Sequence, residues 1–309
     1  MSADRPRVGV LARPSRADFL LIAVGVAGVS TSAPLIKAAI APALAIAFWR
    51  NAIASGVVLP YAAARHRAEL RALDSRELRL SVLGGLLLAA HFATWIPSLS
   101  FTTVASSVAL VATQPVWAAL VARVRGDDVA ARAWLGIAIA VAGAVLLSGV
   151  DFQISRRALG GDVLALVGGM LAALYVTVGA EVRRTVSTTA YTSICYLTAG
   201  VALLVVCLVS GQSLTGYSSG TWWRIVALTV LAQLLGHSVF NRVLKTVSPT
   251  VVSIAILFEI VGAAVLAAIF IGERPPLAAF PAAALIAAGV VMVVRSGSRP
   301  EVSGTPAVD

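Results

Sequence analysis

The stretch "TVSPTVVSIAILFEIVGAAVLAAIFIG" (residues 246–272) holds one charged side chain, Glu259, near its centre. A helix rising about 1.5 Å per residue over this length crosses a hydrocarbon core about 30 Å thick. A carboxylate at mid-depth costs roughly 2.5–3.5 kcal/mol on insertion scales, so it is expected to face a bundle interior and not lipid.

The rest of the chain has the same character. Its 309 residues are 59% hydrophobic and 12% charged, with a mean hydropathy of +0.92. A soluble domain needs more polar surface than this. At about 20 residues per span, the apolar runs give ten membrane helices, at roughly 19–37, 43–63, 81–99, 103–122, 133–150, 161–180, 190–210, 224–241, 249–270 and 277–295. The two-residue alternation of an outer-membrane barrel is absent. Helices satisfy their own backbone groups, which lipid cannot do. The fold class expected is therefore an all-α integral membrane protein.

The segment "MSADRPRVGVLARPSRA" (1–17) reads as a basic tail. The first span is too long for a signal-peptide core, and nine more follow it. The closing segment 296–309, "SGSRPEVSGTPAVD", is rich in Gly, Ser and Pro and is expected to be disordered.

The net charge of +10 reports topology and not a nucleic-acid partner. With the N-terminus placed in the cytoplasm, all Lys and Arg residues fall on that side except Lys37, Arg156, Arg157, Arg224 and Arg274, and Arg50, which lies within a span. This is positive-inside bias in a cytoplasmic (inner) membrane, with both termini cytoplasmic. Cys195 and Cys207 share one span. Twelve residues of helix separate them by about 18 Å, too far for a disulfide. They read as small buried hydrophobes. No metal-ligand spacing, phosphate loop or cofactor motif is present.

The chain repeats itself. "TQPVWAALVARVRGDD" (113–128) lies on "FEIVGAAVLAAIFIGE" (258–273), setting Gln114 on Glu259 and Asp128 on Glu273. "ADFLLIAVG" (17–25) and "GDVLALVGG" (161–169) open the two halves, and Asp18 and Asp162 read as helix caps. Each half, 18–150 and 161–295, then has five spans. Five is odd, so the halves have inverted topology, a plan common in secondary transporters with a midplane site between repeats.

The segments "FWRN" (48–51), "SFTTVASSVALVATQPVWAALVA" (100–122) and "FEIVGAAVLAAIFIGERP" (258–275) resemble the drug/metabolite transporter superfamily, in the branch with two tandem EamA-type five-helix repeats. The resemblance covers about 18–295. It implies transport of small organic metabolites, export ahead of uptake, and no bound cofactor. It also marks Arg50 as the counterpart of a recurrent arginine. Ile260 stands where the family usually has proline, whereas the first half keeps Pro115. Proline therefore does not encode a kink beside Glu259.

The mid-depth polar residues are the candidate substrate site: Arg50, His91, Trp95, Gln114, Gln233, His237, Asn241 and Glu259. Gln233, His237 and Asn241 recur at i, i+4 and i+8 and share one helical face, as do His91, Trp95 and Ser98. His91 and His237 occupy the third span of each half with an offset of 146, one more than Gln114 and Glu259. A one-residue gap in the loops is expected to separate the two alignments. Glu259, His237 and His91 are the proton-coupling candidates. Arg50 suits either an anionic ligand group or an ion pair with Glu259. An arginine and a glutamate together would suit a zwitterion such as an amino acid. Trp49 and Trp117, like Trp95, lie inside spans, where a tryptophan packs or lines a pocket for an organic molecule, and Trp222 and Trp223 read as interfacial anchors. Small residues at i, i+4, Gly136 with Ala140 and Ala284 with Ala288, point to close packing of spans five and ten.

The expected function is secondary transport by alternating access, driven by a proton gradient or the substrate's own gradient, in a monomer or a homodimer. ATP is not implied, because no nucleotide-binding motif is present. Two rivals remain: a non-transporting helper or sensor subunit, and a lipid-modifying membrane enzyme. The second would need an interfacial acid, base or metal cluster, and the short loops offer Arg, Asp and Glu with no His or Cys cluster beyond the isolated His66.

Overall fold

The computed structural model describes residues 15–126, 128–236, 239–240, 243, 252 and 255–296. Most of both tails, together with His237 and Asn241, lies outside the described residues. Every regular element among the described residues is helical. In chain order these are α1 (Arg16–Ser30), α2 (Ser32–Ala38), α3 (Ala43–Arg65), α4 (Arg67–Ala72), α5 (Ser75–Ser98), α6 (Val104–Val111) and α7 (Gln114–Val124). There follow α8 (Ala131–Ile154), α9 (Arg156–Val182), α10 (Thr188–Val209), α11 (Ser219–Leu228) with a π-helical continuation at Thr229–Gly236, α12 (Phe258–Ile271) and α13 (Ala279–Ser296).

Among the described residues, seven segments are long and apolar enough to cross a membrane: Arg16–Ala38, Ala43–Arg65, Ser75–Ser98, Val104–Val124, Arg156–Val182, Thr188–Val209 and Ala279–Ser296. Ala131–Leu147 and α12 are shorter apolar stretches.

Helix starts follow local chemistry. Ser15 caps α1 by accepting from the Asp18 amide at 3.1 Å, and Asp18 returns the bond by accepting from the Ser15 amide at 2.8 Å. Asp18 is thus the third residue of a capping box and not the cap itself. Asp74 and Glu77 do the same for α5. Asp162 is no cap at all. α9 begins at Arg156, so Asp162 sits one and a half turns inside the helix and is buried. The expected loop between spans five and six shrinks to Ser155, because both helices extend into it.

α5 packs on α9, α10 on α3 and α5, and α8 on α13. The last pair crosses at backbone distance. A Cβ on Gly289 would lie 2.5 Å from the Ala140 nitrogen and from the Gly136 carbonyl oxygen. Gly136 and Ala140 therefore do pack as their spacing suggests, but the residue opposite them is Gly289. Ala284 lines an apolar hollow with α12 instead.

At one end of the bundle α4 is stapled to the start of α10. Glu69 accepts from the Ser187 amide at 2.6 Å, the Ser187 hydroxyl at 2.8 Å and His66 Nδ1 at 2.9 Å. Partial burial pushes the Glu69 carboxyl up, but the Ser187 amide and hydroxyl and His66 together outweigh it, and the carboxyl is held below its ordinary value of 4.5. A depressed carboxyl stabilises the fold above its unfolded pKa, and that contribution is lost as pH falls through the folded value. The melting temperature in detergent is expected to fall below about pH 4.5 more steeply for the wild type than for Glu69→Gln. Parallel curves for the two proteins would refute the staple.

Candidate functional site

Two helical spans break near the middle of the bundle. In the first half, α6 ends at Val111 and α7 restarts at Gln114. Pro115 has no amide to give the Val111 carbonyl, which explains the break. Gly169 of α9 closes over the interruption, with a Cβ position 3.0 Å from the Val111 carbonyl oxygen. In the second half the helix is interrupted at Leu257, and α12 begins at Phe258 with Glu259 in its first turn. Ile260 does not prevent this. Its amide makes a short i→i+3 bond to the Leu257 carbonyl at 3.2 Å. Tertiary packing supplies what proline does not: a Cβ on Gly262 would overlap the Ser30 hydroxyl at the α1–α2 junction. Glu259 and Gln114 thus both open half-helices, where the positive end of the helix dipole favours a carboxylate.

A cavity of about 280 Å³ lies between these breaks. Six of the eight residues singled out in the sequence line it: Arg50, His91, Trp95, Gln114, Gln233 and Glu259. His237 and Asn241 belong to the undescribed residues.

Arg50 is 2% exposed. Its Nε donates to Gln233 Oε1 at 2.8 Å, and its guanidinium carbon stands 4.2 Å above the Phe92 ring. Gln233 is held in turn by Asn51 at 3.4 Å, and Asn51 donates to the Ala47 carbonyl at 2.8 Å. The ring face and the amide partly replace water around the cation. Among the described residues Arg50 Nη1 has no hydrogen-bond partner. Arg50 and Glu259 feel one another's charge, yet no hydrogen bond or ion pair joins them. The structural ion pair considered in the sequence is therefore not formed in this state.

His91 hydrogen-bonds the Gly168 carbonyl through Nδ1 at 2.9 Å and stacks on Trp95, with ring centroids 5.6 Å apart. That bond makes Nδ1 the donor. Trp95 is 6% exposed, and among the described residues its Nε1 has no partner. Trp49 turns away from the cavity: its Nε1 donates to the Leu214 carbonyl at 2.8 Å, and its ring meets Trp222 edge-on. Trp222 is therefore a packing residue, whereas Trp223 is exposed. Trp117 donates to Thr113 at 3.2 Å.

The sequence reading missed the opposite wall. Tyr175 of α9 and Tyr191 and Tyr196 of α10 line the cavity, three of the chain's five tyrosines. The available signal was their position inside apolar spans, away from the interfacial belt. Past them the cavity runs to Arg183 and reaches the surface at the exposed Thr188. The arrangement combines a buried cation, a carboxylate and aromatic faces around one space. It can hold a small polar organic molecule by its charges and pack its apolar part.

Known proteins place the chain. A transporter from Archaeoglobus fulgidus, described as uncharacterized, is 24% identical over 233 residues, covering 74% of this chain and 80% of its own. The uncharacterized transporter YyaM of Bacillus subtilis is 24% identical over 217 residues, covering 67% and 70%. A solved crystal structure, described only as that of a protein, superimposes with a TM-score of 0.60 over 93% of this chain and 100% of its own. At 18% identity it shows a shared fold alone. The profile of the EamA-like transporter family matches residues 16–149 and 159–295. Those two matches take in nearly the whole chain in tandem, and the chain belongs to the EamA-like transporter family.

Proposed function

We propose that this multi-pass membrane protein is a secondary transporter that exports small zwitterionic metabolites, amino acids among them, by alternating access. In this reading the halves 18–150 and 161–295 are inverted five-helix repeats, giving ten spans in the inner membrane with both termini cytoplasmic. The carboxylate of the substrate sits on Arg50 and its ammonium group on Glu259, while Trp95 and the tyrosine wall receive its apolar part. Proton exchange at Glu259, with His91 and His237 as relay candidates, supplies the coupling. The reading is compatible with a monomer or a homodimer.

One observation carries it: Arg50 and Glu259 face the same cavity without pairing, and among the described residues the buried Arg50 Nη1 has no partner. A buried charge left unpaired in the resting protein is costly unless a ligand completes it. The test is thermal stability in detergent against a metabolite panel, for wild type and Glu259→Gln. A ligand of the folded state raises the melting point, by about 2.7 kcal/mol of stabilisation at a hundredfold excess over Kd. Amino acids or amines are expected to stabilise the wild type and not the variant. Equal responses would remove Glu259 from the site. Silence across the panel would favour the helper-subunit reading.

A further inference from the structure

The transport reading needs a gate, and the end of the bundle away from the Thr188 mouth is tied together by groups that do not line the cavity. Lys37, in the last turn of α2, pairs with Glu273 at 2.5 Å and donates to the Thr102 carbonyl at 2.9 Å. Glu273 also accepts the Val104 amide at 2.5 Å, one of the unsatisfied donors at the start of α6. Thr102 is fixed from behind by its hydroxyl bond to the buried Asp151 at 3.2 Å. Gly272, at φ +67°, makes the left-handed turn that throws Glu273 back toward these partners. Four segments from both halves meet there: the end of α2, the α5–α6 connection, the start of α6 and the end of α12.

This knot lies opposite the Thr188 mouth. α5 connects the two ends. Its first turn contacts the mouth, with Thr185 donating to Glu77 at 2.6 Å and Arg76 pairing with Glu181 at 2.9 Å. Its last residue, Ser98, leads directly into the connection that carries Thr102.

The two helices that supply the ion pair both begin in the cavity. Ser32 at the head of α2 and Glu259 at the head of α12 line it, while Lys37 and Glu273 lie at or just past their far ends. The 14 residues of α12 make a rod of roughly 21 Å between the two places. The heads are packed together, Gly262 against Ser30. A displacement at Glu259 is therefore carried along one helix to Gly272, whose turn holds Glu273.

We propose that Lys37 and Glu273, with the Thr102 carbonyl and the Val104 amide, form the latch of the outer gate, and that it must open for substrate to leave the cavity on that face. This rests on the transport reading above, and its test needs no flux. A single cysteine is placed in the cavity at Ser32→Cys, in a Cys195→Ser/Cys207→Ser background. Intact cells are labelled from outside with a membrane-impermeant maleimide. Lys37→Met and Glu273→Gln are each expected to speed labelling about fivefold, the size appropriate to one partly exposed ion pair. The charge-swapped pair Lys37→Glu/Glu273→Lys is expected to restore slow labelling. Unchanged rates in both single variants, or a swapped pair as fast as the singles, would overturn the latch. Where a single variant fails to fold, the swapped pair decides: slow labelling supports the latch and fast labelling sinks it. Ligand stabilisation that persists beside unchanged labelling would remove the latch and leave the transport reading standing.

Discussion

Arg50→Met is expected to abolish ligand-induced stabilisation and to cut substrate flux by roughly 30-fold or more, while Arg50→Lys recovers only part of either. The reasoning starts from burial. Among the described residues the guanidinium has one hydrogen bond to Gln233, one aromatic face, and a nitrogen left over. Truncating one partner of a buried charge pair costs about 2–5 kcal/mol, and 1.4 kcal/mol is a factor of ten in affinity. Methionine keeps much of the volume and removes the cation, so the loss reads charge and not packing. Lysine keeps the charge but lacks the planar fork that holds Gln233 and a ligand oxygen at once. Isothermal binding of whichever metabolite stabilises the wild type, with flux into proteoliposomes, measures both. Wild-type binding by Arg50→Met would show that the cation is structural.

Gly289→Val is expected to be the most damaging single change away from the cavity. The Cβ alone would stand 2.5 Å from two backbone atoms of α8, and backbone cannot swing aside as a side chain can. α8 and α13 would have to separate along their length. Overpacking costs about 1–3 kcal/mol in ordinary cores, and here the lost contact includes a membrane interface built on small residues. The readouts are melting temperature and folded yield in detergent. Gly160→Ala is the control: nothing lies within 4 Å of a Cβ there. Alanine in a helix is favoured over glycine by about 0.5–1 kcal/mol, so this variant should hold or gain stability. A Gly289→Val protein as stable as the control would refute the tight crossing.

The two halves, the apolar spans and six cavity-lining side chains could be read from the sequence because each rests on a local or periodic signal. Arg50 and Glu259 stand out as charges in apolar surroundings, and Gln114 follows from the repeat. What escaped has a different physical origin. Tyr191 and Tyr196 are five residues apart, so neither the helical period nor the repeat marks them as one wall. Lys37 and Glu273 are distant in the chain, and each reads alone as an ordinary loop charge. The interruption at Leu257 has no proline to announce it; packing against α1 sets it. Asp162 looks like a cap only if α9 begins seven residues later than it does.

The π-helical stretch at Thr229–Gly236 carries a lesson about ancestry. A π turn is the shape a helix takes when one residue is inserted without breaking it. It supplies a place, inside the helix itself, for a residue added between the opening alignment of the halves (17 on 161, offset 144) and the histidine alignment (91 on 237, offset 146). One added residue turns everything on one side of it by about 100° relative to the other. Gln233 lies within the stretch and holds Arg50. A duplicated gene begins with two identical walls facing each other. A single inserted codon of this kind is enough to make them unlike, so that one half offers the clamp and the other the arginine it holds.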